Sequence, residues 1–245
     1  MLISKVLKGV LVPLAIYYIV LQGQSLDIQA SGIGALMLVL LTILYAISKA
    51  PKRKYFFAFL IVFTITEIID FFTWFTPPLE MNELDYFYYI ANILYIVSYL
   101  FLILNLIIDL NLKLLIAEFK IPIIILIVLD IFSVMVISST TENALNSYQF
   151  ILEFVYNAVI MVLLSVALLN YMYRNDNKSM LLLVGCIFIM FYEIIQLAYF
   201  YVLDDNELSI IFSMLLVIAF TLFYVQSQLK FTGPERAYVD EQLES

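Results

Sequence analysis

Eight apolar stretches recur along this chain, each long enough for an α-helix to cross a hydrocarbon core about 30 Å thick. They fall at about 5–22, 29–48, 55–76, 86–108, 121–139, 148–171, 180–203 and 209–229, and the links between them are too short for a separate soluble domain. The mean hydropathy of +1.03 and the 64% hydrophobic content agree, since a soluble domain is roughly half apolar. The expected fold is an all-α integral membrane protein: one eight-helix transmembrane domain over 1–229 and a polar tail over 230–245, loosely ordered as chain ends often are.

The charges supply an orientation independently of hydropathy. With the amino terminus in the cytoplasm and the spans alternating, all 12 Lys and Arg, from Lys5 and Lys8 to Lys230 and Arg236, fall on the cytoplasmic side, as the positive-inside rule requires. Both termini are then cytoplasmic. The outer loops hold only acids: Asp27, Glu80, Glu83, Asp85, Glu142, Asp204, Asp205 and Glu207. The net charge of −8 thus combines a basic inner face, an acidic outer face and acids within the spans, and gives no sign of a nucleic-acid partner. Lys5 and Lys8 ahead of an apolar run resemble a signal peptide, but "LQGQS" lacks a small-x-small cleavage site, so an uncleaved anchor is expected.

The chain contains no histidine and one cysteine, Cys186. That excludes a His-based triad, relay or metal site and any intramolecular disulfide; no metal and no cofactor are expected. The span acids are Glu67, Asp70, Asp130, Glu153 and Glu193, with no Lys or Arg inside the spans to pair with them. An ionisable residue at the centre of a membrane helix costs about 2.5–3.5 kcal/mol on insertion scales, and such residues face the bundle interior or a water-filled cavity. Carboxyls in that setting favour the neutral form, and a neutral carboxyl beside an ionised one is the raw material of acid–base chemistry.

Helical spacing groups these residues. Glu67 and Asp70 on the third span, Glu153 and Asn157 on the sixth, and Glu193 and Gln196 on the seventh stand three or four residues apart, on one face of their helices. The expectation is one cavity with Glu67 and Glu193 as catalytic carboxyls and Asp70, Glu153, Asn157, Tyr192 and Gln196 binding substrate. The plainer alternative is that these groups only hydrogen-bond across helices, at about 0.6 kcal/mol each. Asp130 stands alone on the fifth span. The 18 Tyr and 20 Phe are assigned mostly to packing, lipid contact or the interface, with Trp74 in an outer aromatic belt.

An internal repeat adds a constraint. A shift of 126 residues brings Lys52 onto Lys178 and Glu67-Ile68-Ile69 onto Glu193-Ile194-Ile195; a shift of 124 brings Asn82-Glu83-Leu84 onto Asn206-Glu207-Leu208. Chance matches are common in a chain so rich in Ile and Leu. If the repeat is genuine, it implies two parallel four-helix halves, 1–110 and 111–229, related by an axis along the membrane normal. Glu67 and Glu193 lie nine and ten residues from the outer ends of their spans, roughly 14–15 Å at about 1.5 Å per residue, which places both near the midplane.

Several of these features resemble the YhhN-type lysoplasmalogenase family of eight-span proteins. Thr66-Glu67 stands where the family has Gly-Asp on the third span, and Gly185 followed by Tyr192-Glu193 where it has Gly and then Ser-Asp on the seventh. "LFYVQSQL", with Tyr224 and Gln226, resembles the end of the family's last span, and Tyr156 and Met161 match its sixth. Both family aspartates are glutamates here, and its fourth-span histidine has no counterpart. The resemblance implies hydrolysis of the vinyl-ether bond of a lysoplasmalogen-type membrane lipid or lysolipid, in a bacterial inner (plasma) membrane. Acid and base are not assigned between Glu67 and Glu193. Two other classes stay open: a proton- or cation-coupled small-solute transporter, and a non-catalytic sensor or assembly partner whose acids bind a basic residue of another protein. No span holds a lysine for a retinal Schiff base.

Overall fold

The computed structural model describes residues 2–77, 84–203 and 205–230. Among them are nine α-helices and no strand: α1 Leu2–Gly23, α2 Asp27–Ala46, α3 Lys54–Thr73, α4 Tyr86–Ile107, α5 Leu112–Glu118, α6 Lys120–Ser139, α7 Ser147–Arg174, α8 Asn177–Tyr201 and α9 Asn206–Gln228. Eight are long and apolar enough to cross a bilayer, the architecture of an α-helical membrane protein. The ninth, α5, is a seven-residue helix in the link that hydropathy leaves as a loop. Most of the polar tail, and the Asn82-Glu83 half of one repeat motif, lie outside the described residues.

Local sequence sets several helix starts. Asn146 and Gln149 form a reciprocal capping box at α7, and Asp176 and Ser179 form another at α8, each satisfying amide donors that the first helical turn leaves without partners. Asp85 accepts from the Tyr88 amide at the start of α4. Asn175, in the left-handed conformation, ends α7 and lets α8 begin two residues later.

The helices close a ring. Consecutive helices α1 to α4 pack in order, α4 packs on α7, α7 to α9 follow in order, and α9 returns to α1. α6 packs mainly on α7, with most of its large apolar side chains exposed; in a bilayer these face lipid. The two four-helix halves therefore share sequential packing but differ at their junctions, because α1 meets α9 whereas α4 meets α7.

Large aromatics fill the ring's interior. Phe59 and Phe63 of α3, Tyr99 of α4, and Phe220 and Phe223 of α9 are all buried. Phe59 stacks on Phe220 with centroids 5.8 Å apart, and Phe63 stands edge-on to Tyr99 at 5.9 Å. This layer separates the two ends of the bundle.

At the basic end, Arg53 pairs with Asp109. Arg174 donates to the Asp109 carbonyl at 3.1 Å and to Asn170 at 3.0 Å. Lys178 Nζ donates to the Leu229 carbonyl at 2.8 Å, capping the last turn of α9. Burial, and then the charge of Arg174, lower the Arg53 pKa, so Asp109 offsets a local crowding of cations.

Candidate active site

Above the aromatic layer, towards the end of the bundle that carries no Lys or Arg, the ring encloses a cavity of about 980 Å³. It runs from Tyr156 and Glu193 up to exposed Trp74 and Phe200 at the helix ends. All seven residues expected at a site line it: Glu67 and Asp70 from α3, Glu153 and Asn157 from α7, and Tyr192, Glu193 and Gln196 from α8. Asp27 and Asp85 add carboxyls near the mouth, and among the described residues no Lys or Arg lines the cavity. The i, i+3 and i, i+4 spacing thus does what helical geometry allows: each pair presents two polar groups to one wall.

The carboxyls are held by tyrosines that the sequence reading assigned to packing or the interface. The Tyr95 hydroxyl lies 2.9 Å from Glu67 Oε1 and 2.6 Å from Asp70 Oδ2. Four residues further along α4, Tyr99 donates to Glu193 Oε1, and Tyr156 of α7 lines the same part of the cavity. The two niches are thus one helical turn apart on α4, about 6 Å along its axis. They are joined rather than isolated: Tyr156 stands edge-on to both Tyr95 and Tyr99, with centroids 6.4 and 6.2 Å away, and Glu67 and Glu193 line the same cavity.

The signal for these tyrosines is legible in hindsight. Tyr88, Asn92, Tyr95 and Tyr99 repeat at i, i+4, i+7 and i+11, one continuous stripe of a helix, and the first three line the cavity. Tyr18 and Gln22 of α1, also four apart, line the opposite wall. The assignment of the aromatics mainly to lipid and packing is therefore corrected at Tyr18, Tyr95, Tyr99 and Tyr156. An amphipathic phenol suits an interface and a buried hydrogen bond equally, so composition alone does not separate the two.

The remaining polar groups fall into place around this core. Glu153 is buried and accepts from Asn157 Nδ2 at 3.4 Å, and the same amide reaches Ser138 Oγ of α6 at 3.3 Å. Tyr192 is buried, edge-on to Phe212 at 6.1 Å. Asp130 is not alone: Ser165 of α7 bonds its carboxyl at 2.8 Å across the α6–α7 contact, away from the cavity lining. Compared with protein-family models, with curated proteins and with solved structures, the chain matches none. The cavity itself is the ground for a functional reading.

Proposed function

We propose that the chain is an intramembrane hydrolase that cleaves the vinyl-ether bond of a lysoplasmalogen-type lipid by paired carboxyls, in a bacterial inner membrane with both termini in the cytoplasm. The observation that supports this reading is that Glu67 and Glu193, from α3 and α8, line one cavity. Its volume lies near the top of the usual range of about 300–1,000 Å³ for small-molecule sites, enough for the glycerol and ether end of a single-chain lipid.

The chemistry needs only protons and water. One carboxyl donates its proton to the vinyl carbon remote from the ether oxygen, leaving an oxocarbenium-like centre at the other. A water oxygen bonds to that centre while the second carboxylate takes a water proton. The hemiacetal hydroxyl then gives up its proton as the C–O bond to the alcohol breaks, the alcohol oxygen takes up one proton in exchange and the aldehyde is released, so the collapse consumes no net proton. General acid–base assistance of this kind supplies roughly 10²–10⁴-fold. Glu153 and Asn157 are placed to orient the water or the lipid's polar end.

The transporter alternative draws less support. Carriers of that type build midplane sites from discontinuous helices, whereas α3 and α8 run unbroken through Glu67 and Glu193. The test is aldehyde release by protein reconstituted with a lysoplasmalogen. Release by the native protein and its loss in folded Glu67→Gln and Glu193→Gln is the expected outcome; a native protein that leaves the lipid intact overturns the reading.

A further inference from the structure

The two carboxyl niches differ in their supply of donors, and that difference assigns their protons. A tyrosine hydroxyl has one hydrogen to donate and two lone pairs that accept. Tyr95 Oη lies within hydrogen-bond distance of two carboxyl oxygens, Asp70 Oδ2 at 2.6 Å and Glu67 Oε1 at 2.9 Å. Its single hydrogen can be given in full to only one of them. The other contact is a full two-centre hydrogen bond, rather than a share of a divided one, only if the carboxyl brings the hydrogen and Tyr95 accepts. Two anionic carboxylates three residues apart would instead face one donor in a cavity that no described Lys or Arg lines. At Glu193 the count differs: Tyr99 gives its hydroxyl hydrogen to a single carboxyl, with no second carboxyl sharing it, an arrangement that suits an anion.

We infer that Glu67, Tyr95 and Asp70 form a unit that retains one carboxyl proton, while Glu193, held by Tyr99, is the ionised carboxylate. Resting on the hydrolase reading, this makes the Glu67–Tyr95–Asp70 unit the acid that protonates the vinyl carbon and Glu193 the base that takes the proton from water. Asp70 then shares the acid's proton, and Tyr95 and Tyr99 are positioning residues. After turnover Glu193 holds the proton that the unit has lost, and its transfer across the shared cavity restores the starting state.

The protonation pattern is testable without any substrate. The infrared carbonyl stretch of a protonated carboxylic acid is resolved from that of a carboxylate, and variant-minus-native spectra of the full chain in lipid nanodiscs cancel the contribution of Glu153 and Asp130. Glu67→Gln and Asp70→Asn should each remove the same protonated-carboxyl band, because the carboxyl left behind then has the Tyr95 hydrogen to itself. Glu193→Gln should leave that band in place and remove carboxylate absorption. A native spectrum with no protonated-carboxyl band overturns the inference without recourse to any variant. So does a band that survives both α3 substitutions in folded protein or disappears with Glu193→Gln. If the bands behave as expected but no vinyl ether is cleaved, the hydrolase reading fails and the proton assignment stands.

Discussion

Of the described glycines, Gly185 leaves the least room for a Cβ, and its substitution by alanine tests whether the α8–α9 packing is as close as described. A Cβ at this position would lie 2.6 Å from Phe223 Cε1 and 2.8 Å from Phe223 Cδ1, well inside the usual 3.5–4.0 Å carbon separation. Phe223 has little room to yield. It is 0% exposed, edge-on to Phe59 at 5.7 Å and to Phe220 at 5.9 Å. Two effects oppose each other. Alanine gains about 0.8–1 kcal/mol of helix propensity over glycine, whereas overpacking costs about 1–3 kcal/mol. With two contacts below 3.0 Å against a ring wedged on both sides, the cost wins, and a net loss of about 1–2 kcal/mol is expected. For a chain of this size that lowers the melting temperature by about 2–8 °C, measurable by thermal unfolding of purified protein in detergent. Gly9→Ala is the control: nothing lies within 4 Å of its Cβ, so it should be neutral or slightly stabilising. Combining Gly185→Ala with Phe223→Leu should cost less than the sum of the two, since the shorter side chain vacates the contested space. A Gly185→Ala protein as stable as the native one, or strict additivity with Phe223→Leu, would refute the close α8–α9 contact.

Three further outcomes follow from the geometry. Tyr99→Phe removes the hydroxyl that donates to Glu193; a hydrogen bond to a charged group is worth about 1.5–3 kcal/mol, so aldehyde release should fall by roughly 10–150-fold, and an unchanged rate would show that Tyr99 does not position the base. Asp130→Asn keeps an acceptor for Ser165 at a site outside the cavity, and should leave turnover unchanged and melting within about 0.5 kcal/mol. The one native cysteine, Cys186, is buried, so single-cysteine labelling of intact cells reports topology cleanly: Glu142→Cys should react with an impermeant maleimide and Lys113→Cys should not, and the reverse pattern would invert the orientation.

The sequence conveyed the fold where physics leaves one option. A bilayer sets the length of a spanning helix, so the eight spans stand within a few residues of their observed helices. α5 has no comparable signal, because seven residues cannot span and so short an apolar run shows no clear helical period. The peripheral place of α6 was half legible: it is the most apolar of the spans and the least buried, but a uniformly apolar helix suits a packed core as well as a lipid face. Carboxyls stood out because hydrocarbon penalises them, so Glu67, Asp70, Glu153 and Glu193 were recognisable before any coordinates. Their tyrosine partners were not, since a phenol carries no such penalty and 18 of them compete for attention. Which helix faces which also has no local signal; the α4–α7 contact that brings Tyr156 towards Tyr95 and Tyr99 is a property of ring closure.

The claim that the two glutamates work as one unit is tested most directly by a double-mutant cycle in kcat for aldehyde release, using native protein, Glu67→Gln, Glu193→Gln and the doubly substituted chain. Acid and base of a single reaction give losses that do not multiply: each single change should cost about 10²–10⁴-fold, and the pair little more than either alone. Losses that multiply, or a folded single variant that turns over at the native rate, would contradict a shared site.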